Sequence, residues 1–341
     1  MKRSTDDKWK TFIKSEISKT NIPLTLVKEI IVLMKPLALE IHNWMVDHNG
    51  IFTEEQEHSL EFCFNPDGTL NRVKTAELLI YSKRLDVQTR FVLACQYWSS
   101  SDIGNFFVYL PRSSKEQILR KYLVANENWN EHEVNVRQWI NLYNFEPQSR
   151  DWPDILQNCT DVSLQSRLLD YYSEEARKSL LDIVFEYTEK MHVGRFCVSR
   201  MSVDHREKLL TSFPLKVLRV YLFRPYHHFF LDAANKVWNH LPGNHFTCLL
   251  HIIICQKILA FWEDYDYVNL LRQFWYSSPK HLKQFVERTE IFKILMEIVE
   301  LGFSQKELPR YFALHDKYVH DNAVLCEDII EESIKMNKFS F

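Results

Sequence analysis

The stretch NPDGTLNRVKTAELLIYSKRLDVQTRFVLACQYW, residues Asn65–Trp98, decides the fold. It opens with a turn in which Pro66 presets one backbone angle and Gly68 supplies a positive φ. Apolar residues then recur at the i, i+3 and i+7 spacings of a helix, namely Leu70, Val73, Ala76 and Ile80. Asp86 offers an N-cap for a second helix, whose apolar face carries Val87, Phe91, Ala94, Cys95 and Trp98. The stretch therefore predicts a helical hairpin that needs neighbours to cover its apolar faces.

The composition favours helices over sheets. Only 6 of the 341 residues are glycine, far fewer than the roughly 7% that is usual in proteins. This shortage disfavours β-hairpin turns and glycine-rich phosphate loops. Aromatic residues make up 14% of the chain, which is enough for a firmly packed core. We therefore expect an all-α protein, built as an irregular solenoid of stacked antiparallel helix pairs.

Helical patterns continue along the sequence, so we expect a single α-helical array over residues 1–341. The segment 146–153 holds two prolines and is the expected position of a bend or sub-boundary. The tail 327–341 is amphipathic and is expected to fray. Pro225 stands where the first turn of a helix is expected. Residues 249–262 are apolar around most of their circumference, which predicts one helix with neighbours on both sides.

The charge pattern and the cysteine spacing limit the kinds of partner and the cellular compartment that the sequence predicts. The formal net charge is −3, and no run of Lys or Arg exceeds two residues, whereas nucleic-acid binding usually rests on clustered cations. The 7 cysteines are odd in number and include no Cys-x-x-Cys pair. The charged start is unlike a signal peptide, and no apolar run is long enough to cross a bilayer. We therefore expect a cytoplasmic protein, with the nucleus as the alternative, that has no membrane partner.

The densest group of possible metal ligands lies between residues 227 and 255. Cys248, His251 and Cys255 fall at i, i+3 and i+7, on one face of an α-helix, and a nearby histidine such as His240 would complete a zinc site. However, Cys often behaves as a small buried apolar side chain, and structural zinc sites usually show tighter ligand pairs. We expect no metal here, and Cys248, His251 and Cys255 are the candidate ligands if one binds.

No recognised pattern of catalytic residues occurs in the sequence. The chain has no Gly-x-Ser-x-Gly elbow and no kinase, Walker or dinucleotide signature. The acidic run Glu263–Tyr267 lacks the glycine that a calcium loop uses for its sharp turn, so we expect a solvated connector between helices. The sequence therefore predicts no enzymatic activity, no catalytic residue and no cofactor.

Three stretches resemble a known set of proteins in their residue identities as well as in their apolar pattern. They are Asn65–Ala76, Thr89–Trp98 and Phe213–Arg219. Each is similar to a segment of a large, lineage-expanded family of arthropod proteins, chiefly from spiders. The resemblance runs along most of the chain and implies an all-helical, intracellular protein. It implies no activity, cofactor or catalytic residue.

The leading hypothesis is a non-enzymatic α-helical scaffold or adaptor that binds a protein or peptide, because stacked hairpins offer extended binding surfaces. The first alternative is a metal-binding or enzymatic protein that uses the His/Cys region 227–255. The second alternative is a nucleic-acid binder. Tryptophans near the helix ends are open to interpretation as binding anchors or as core residues, and these are Trp98, Trp238, Trp262 and Trp275.

Overall fold

The computed structural model describes residues 23–98, 100–123, 128–145, 169 and 172–300. Over these residues the protein is all-α, which confirms the predicted fold class, and their only β feature is an isolated bridge between Phe64 and Leu70. The α-helices within the described residues are α1 (Leu24–Asp47), α2 (Glu54–Glu57), α3 (Arg72–Tyr81), α4 (Val87–Tyr97), α5 (Ser100–Tyr109), α6 (Arg112–Leu123), α7 (Glu131–Phe145), α8 (Glu174–Tyr187), α9 (Met191–Arg200), α10 (Val203–Ser212), α11 (Pro214–Tyr221), α12 (Phe230–Val237), α13 (Gly243–His251), α14 (Tyr267–Ser277), α15 (Lys280–Val286) and α16 (Ile291–Glu300).

The chain divides into two compact units. The central unit comprises Glu40–Met201, and the split unit comprises Met1–Leu39 together with Ser202–Phe341. The expected bend at 146–153 and the expected frayed tail at 327–341 lie outside the described residues. The single array and the regular stacking of a solenoid therefore stay predictions.

The hairpin predicted at Asn65–Trp98 is present in the central unit as α3 and α4. Gly68 has a φ of +83°, and its backbone N–H donates to the carbonyl of Asn65 at 3.0 Å, which closes the turn. The side chain of Asp86 accepts hydrogen bonds from two backbone N–H groups at the start of α4, as an N-cap does. The buried apolar residues of the two helices include Ala76, Leu79, Ile80, Phe91, Leu93, Ala94 and Cys95. Local turn chemistry thus sets the approach to α3, and local capping chemistry sets the start of α4.

The prediction for Pro225 is wrong. The Arg224–Pro225 peptide bond is cis, and the backbone N–H of Tyr226 donates to the carbonyl of Phe223 across it at 2.9 Å. This turn leads into a short 3₁₀-helix, His227–Phe229, and α12 begins only after that. Pro225 therefore belongs to the turn and not to the first turn of a helix.

The single helix predicted over 249–262 is also wrong. Helix α13 ends at His251, and a π-helix follows over Ile252–Ile258. Its wider turns are visible in backbone bonds between residues five apart, such as Leu259 N–H to Ile254 at 2.8 Å. Apolar residues on every side carry no phase information, so the pattern could not distinguish a π-helix from an α-helix. None of the described helices is long and apolar enough to cross a membrane.

Two glycines differ sharply in the space around them, which gives a matched test of the packing. A Cβ added at Gly243, the first residue of α13, would lie 2.4 Å from the ring carbon Cγ of Phe285 on α15, whereas nothing lies within 4 Å of one added at Gly104 in α5. Gly243→Ala should therefore cost roughly 1–3 kcal/mol of unfolding free energy through overpacking. Gly104→Ala should stabilise by up to about 1 kcal/mol, since alanine suits a helix interior better. Urea unfolding of the two variants checks this, and equal effects would contradict the contact between α13 and α15.

Candidate functional site

A line of aromatic rings crosses the central unit from α3 to α5. The ring of Tyr81 at the end of α3 lies 5.5 Å from that of Trp98, which follows α4. Trp98 in turn meets Phe106 on α5 edge to face at 5.7 Å, and Phe106 stacks on the fully buried Phe91 at 6.4 Å. Edge-to-face and offset arrangements are the favourable geometries for such pairs. The core of the unit thus continues outward as a connected row of rings.

The outer end of this row is open to solvent, and a second exposed tyrosine lies close to the row in sequence. Tyr81 is 68% exposed, and Tyr109, one helical turn beyond Phe106 on α5, is 87% exposed. Leu78, one turn before Tyr81 on α3, is also exposed. We call Leu78, Tyr81, Trp98, Phe106 and Tyr109 the aromatic strip. It combines the buried Trp98 and the partly buried Phe106 with the exposed Leu78, Tyr81 and Tyr109.

Two other exposed tyrosines lie outside this row. Tyr187 at the end of α8 and Tyr276 in α14 are 75% and 63% exposed. Neither ring contacts another aromatic ring in the part of the chain that the structure describes. Isolated exposed side chains of this kind are ordinary on protein surfaces. Tyr187 and Tyr276 therefore serve as controls for the aromatic strip.

Arg90 on α4 lies against the aromatic strip. Its guanidinium carbon is 5.5 Å from the centre of the Phe106 ring, and its Nε donates to the carbonyl of Ile80, the residue before Tyr81. The stacking and the hydrogen bond fix the guanidinium plane beside the rings. The strip thus combines aromatic side chains with a positioned arginine.

A second arrangement is a buried ion network centred on Asp47, whose side chain is fully buried at the end of α1. One carboxylate oxygen accepts from Arg72 Nη1 and from His192 Nε2, both at 2.7 Å. The other oxygen accepts from Lys190 Nζ at 3.2 Å. Helices α1, α3 and α9 are therefore held together by a single carboxylate.

The pKa values in this network follow from its partners. Burial opposes ionisation of Asp47, but the hydrogen bond from His192 and the charges of Arg72 and Lys190 outweigh it and hold the pKa of Asp47 well below its ordinary value. Burial also lowers the pKa of His192, so His192 donates as a neutral ring near pH 7. Asp47 is thus a permanent anion whose compensating charge is supplied by the two cations.

The neighbouring Glu40 is held in the same way. Burial again opposes ionisation, while the hydrogen bond and charge of Arg195 on α9 lower the pKa of Glu40. Its second oxygen accepts from the backbone N–H of Leu70 at 3.1 Å. Glu40 and Asp47 therefore both hold α9 against α1.

His48 extends the polar core away from Asp47. Its Nδ1 is 2.6 Å from the carbonyl of Trp44, so this nitrogen carries the proton, and its Nε2 accepts from the hydroxyl of Tyr97 at 2.8 Å. Burial, reinforced by the charge of Arg72, lowers the pKa of His48 from 6.5 to about 3. Burial likewise lowers the pKa of His132, whose ring stacks on His48 at 6.1 Å. The central unit thus encloses neutral histidines that resist protonation.

The metal candidates are placed in the split unit and are mostly buried among apolar side chains. Cys248 and Cys255 are buried, and burial raises the pKa of Cys255 to about 12, which disfavours the thiolate that a metal needs. Cys255 also lies in the π-helix, so its phase differs from the α-helical spacing assumed for the face. His251 Nδ1 is 2.9 Å from the carbonyl of Thr247. No group of three or more His, Cys, Asp or Glu residues suited to a metal occurs within the described ranges.

The same unit encloses a buried lysine that sequence reasoning passed over. The ammonium of Lys257, in the π-helix, lies 3.6 Å from the ring centre of Trp262 and 3.8 Å from that of Phe223. The chain then passes through Phe261 at a φ of +55°, a strained value for so bulky a residue. Lys35 on α1 donates to the carbonyl of Phe261 at 3.2 Å and helps to hold this turn. In the sequence, this buried lysine was indicated only by its position, as the single Lys or Arg in the apolar run 249–262.

The acidic connector is buried where the sequence predicted solvation. The side chain of Asp264 is 1% exposed, and burial raises its pKa against the charge of Lys257. Asp264 accepts from the hydroxyl of Tyr267 at 3.2 Å, and that hydroxyl lies 2.8 Å from His227 Nε2. Only Asp266 behaves as expected, as the exposed N-cap of α14. The solvated-connector prediction is therefore wrong for Asp264 and Tyr267.

Comparison with known proteins identifies no match to this chain. No family model, no curated protein and no solved structure matches this chain. Membership of the arthropod family stays a prediction.

Proposed function

We propose that this chain is a non-enzymatic α-helical scaffold or adaptor that binds a protein or peptide partner through the aromatic strip. The observation that carries the proposal is the exposure of Tyr81 at the outer end of a connected row of rings, together with that of Tyr109 one helical turn beyond Phe106. Exposed apolar surface of this kind marks interaction sites more often than scattered apolar residues do.

The chemistry of the strip suits a protein interface. Tyrosine, tryptophan and arginine supply most of the binding energy at such interfaces, because each buries a large area and also makes polar contacts. Trp98 and Phe106 are already held by packing, and Arg90 by its bond to Ile80. A partner would therefore lose little free energy in ordering this surface.

The metal-binding or enzymatic alternative has less support. Cys248 and Cys255 are buried thiols, and the groups around Lys257 and Asp264 are enclosed by aromatic rings. Within the described residues, Cys63, Cys95 and Cys255 are free thiols, which supports a reducing compartment such as the cytoplasm, with the nucleus as the alternative. The nucleic-acid alternative is kept as an outcome of the test below.

We expect the double variant Tyr81→Ala, Tyr109→Ala to lose at least about tenfold in partner affinity, as interface aromatic residues do on truncation. Unfolding free energy should change by less than about 1 kcal/mol, because both side chains are largely exposed. The matched control is Tyr187→Ala, Tyr276→Ala, which removes two equally exposed rings outside the strip.

The measurement is affinity purification with the tagged full chain, followed by calorimetric titration of the proteins recovered. Partners that bind wild type and the control but not the strip variant support the proposal. Partners that bind all three proteins equally would show that the strip is not the binding surface.

A further inference from the structure

The aromatic strip is bordered by cations that have no carboxylate partner among the residues that the structure describes. Lys74 lies one turn before Leu78 on α3, and Lys83 follows Tyr81 by two residues; both are exposed. Lys115 on α6 donates to the carbonyl of Val108 beside Tyr109 at 2.6 Å. Within the described parts of the chain, neither these lysines nor Arg90 form an ion pair. The border of the strip is therefore positively charged although the whole chain carries a net charge of −3.

The acids nearby do not neutralise this border. Glu77 on α3 and Asp102 on α5 already interact within the chain. Asp86 caps α4 and also accepts from Gln56 Nε2 at 2.7 Å. Glu61 is paired with Arg84 at 2.6 Å. A partner would therefore meet unpaired cations and acids that are already engaged.

Arg90 presents the most specific of these cations. Its Nε is used by the carbonyl of Ile80, and its plane is stacked over Phe106. Its two terminal nitrogens form no hydrogen bond with the residues that the structure describes. A guanidinium held in this way offers two parallel N–H donors, which match the two oxygens of a carboxylate.

We infer that the partner contacts the strip with a segment that carries an Asp or Glu carboxylate for Arg90 and apolar side chains for Tyr81 and Tyr109. This inference rests on the protein-binding role proposed above and names the chemistry of its partner. An acidic peptide fits better than RNA, which also uses cations and stacking rings. The reasons are the aliphatic Leu78 within the strip, the exposed Val108 beside it and the acidic net charge of the chain.

The test selects a phage-displayed library of random peptides on the full chain, with the Tyr81→Ala, Tyr109→Ala variant as the counter-selection. Peptides that depend on the strip should be enriched in Asp or Glu next to aromatic or aliphatic residues. Fluorescence anisotropy with the synthesised peptides then measures affinity. Added salt should weaken binding, because exposed charges are screened. A uridine-rich RNA oligonucleotide is titrated in parallel.

Two variants test the charges separately. Arg90→Gln should weaken binding about tenfold or more by removing the two-donor contact. Because Arg90 also supports Ile80, Lys83→Glu provides a second test at an exposed residue that makes no ion pair with any described part of the chain. It should weaken binding several-fold. Lys208→Glu on α10 reverses the charge of an exposed lysine in the other unit. It is the matched control and should leave the peptide affinity unchanged.

The outcomes separate this inference from the proposed function. Strip-dependent peptides without acidic residues, or acidic peptides indifferent to both charge variants, would overturn the inference and leave the proposed function standing. A complete lack of strip-dependent peptides would overturn both. Strip-dependent binding of the RNA in place of peptides would also overturn both.

Discussion

Replacing Asp47 with alanine should lower the unfolding free energy of the central unit by about 3–5 kcal/mol, the usual cost of breaking a buried ion pair. The loss arises because Asp47→Ala leaves the buried partners of Asp47 in place without their acceptor. Arg72 is buried and would keep its charge without a counterion, and the Nε2–H of the buried His192 would lose its acceptor. Leaving such groups unpaired costs far more than the pair itself contributes.

Two further variants test whether the unpaired buried charge of Arg72 causes the loss of stability in Asp47→Ala. Glu61→Ala removes the partner of Arg84 in an exposed pair and should cost less than about 1 kcal/mol. Adding Arg72→Met to Asp47→Ala should restore part of the lost stability, because the unpaired guanidinium is then absent. Urea unfolding measures all of these. A loss for Asp47→Ala no greater than that for Glu61→Ala would contradict the buried network.

Acidification from pH 7 to pH 5 should remove roughly 2 kcal/mol of the stability of the central unit through His48 alone. The pKa of His48 is about 3 in the folded protein against an ordinary value of 6.5. Between these two values the unfolded chain binds a proton that the folded chain does not, so stability falls as the pH falls. The contribution is complete above 6.5 and is lost as the pH approaches 3. The lowered pKa values of His132 and His192 act in the same direction.

The double variant His48→Phe, Tyr97→Phe removes the titrating ring together with the hydroxyl that donates to it. The quantity compared with wild type is the pH dependence of the unfolding free energy of this variant, and its absolute value is not compared. The slope of unfolding free energy against pH near pH 5 should fall by about one proton, or about 1.4 kcal/mol per pH unit. Chemical denaturation across a pH series gives this slope. An unchanged slope would show that His48 is not held neutral in the fold.

Features set by local chemistry were the ones that the sequence predicted well. Gly68 and Asp86 act within a few residues of themselves, and both do what turn and capping rules require. Phe91 and Ala94 are buried as their helical spacing predicted. The all-α class followed from the same local patterns.

Features set by distant contacts could not be predicted. Asp47 meets Arg72 and His192, which are 25 and 145 residues away in sequence, and no spacing rule connects them. The π-helix was hidden because its segment is apolar all round. Trp98, Trp262 and Trp275 are buried, as the core interpretation predicted, yet Trp98 also forms the middle of the aromatic strip. The binding-anchor interpretation of Trp98 stays a prediction.

We propose above that this protein binds its partner through the aromatic strip. The most direct measurement places a photo-reactive phenylalanine analogue at position 109 or, as control, at position 187, and irradiates the full chain with cell extract. We predict a discrete protein adduct from position 109 that excess wild-type chain abolishes and that excess Tyr81→Ala, Tyr109→Ala variant does not. Equal adducts from both positions, or competition by the variant as strong as that by wild type, would contradict the account.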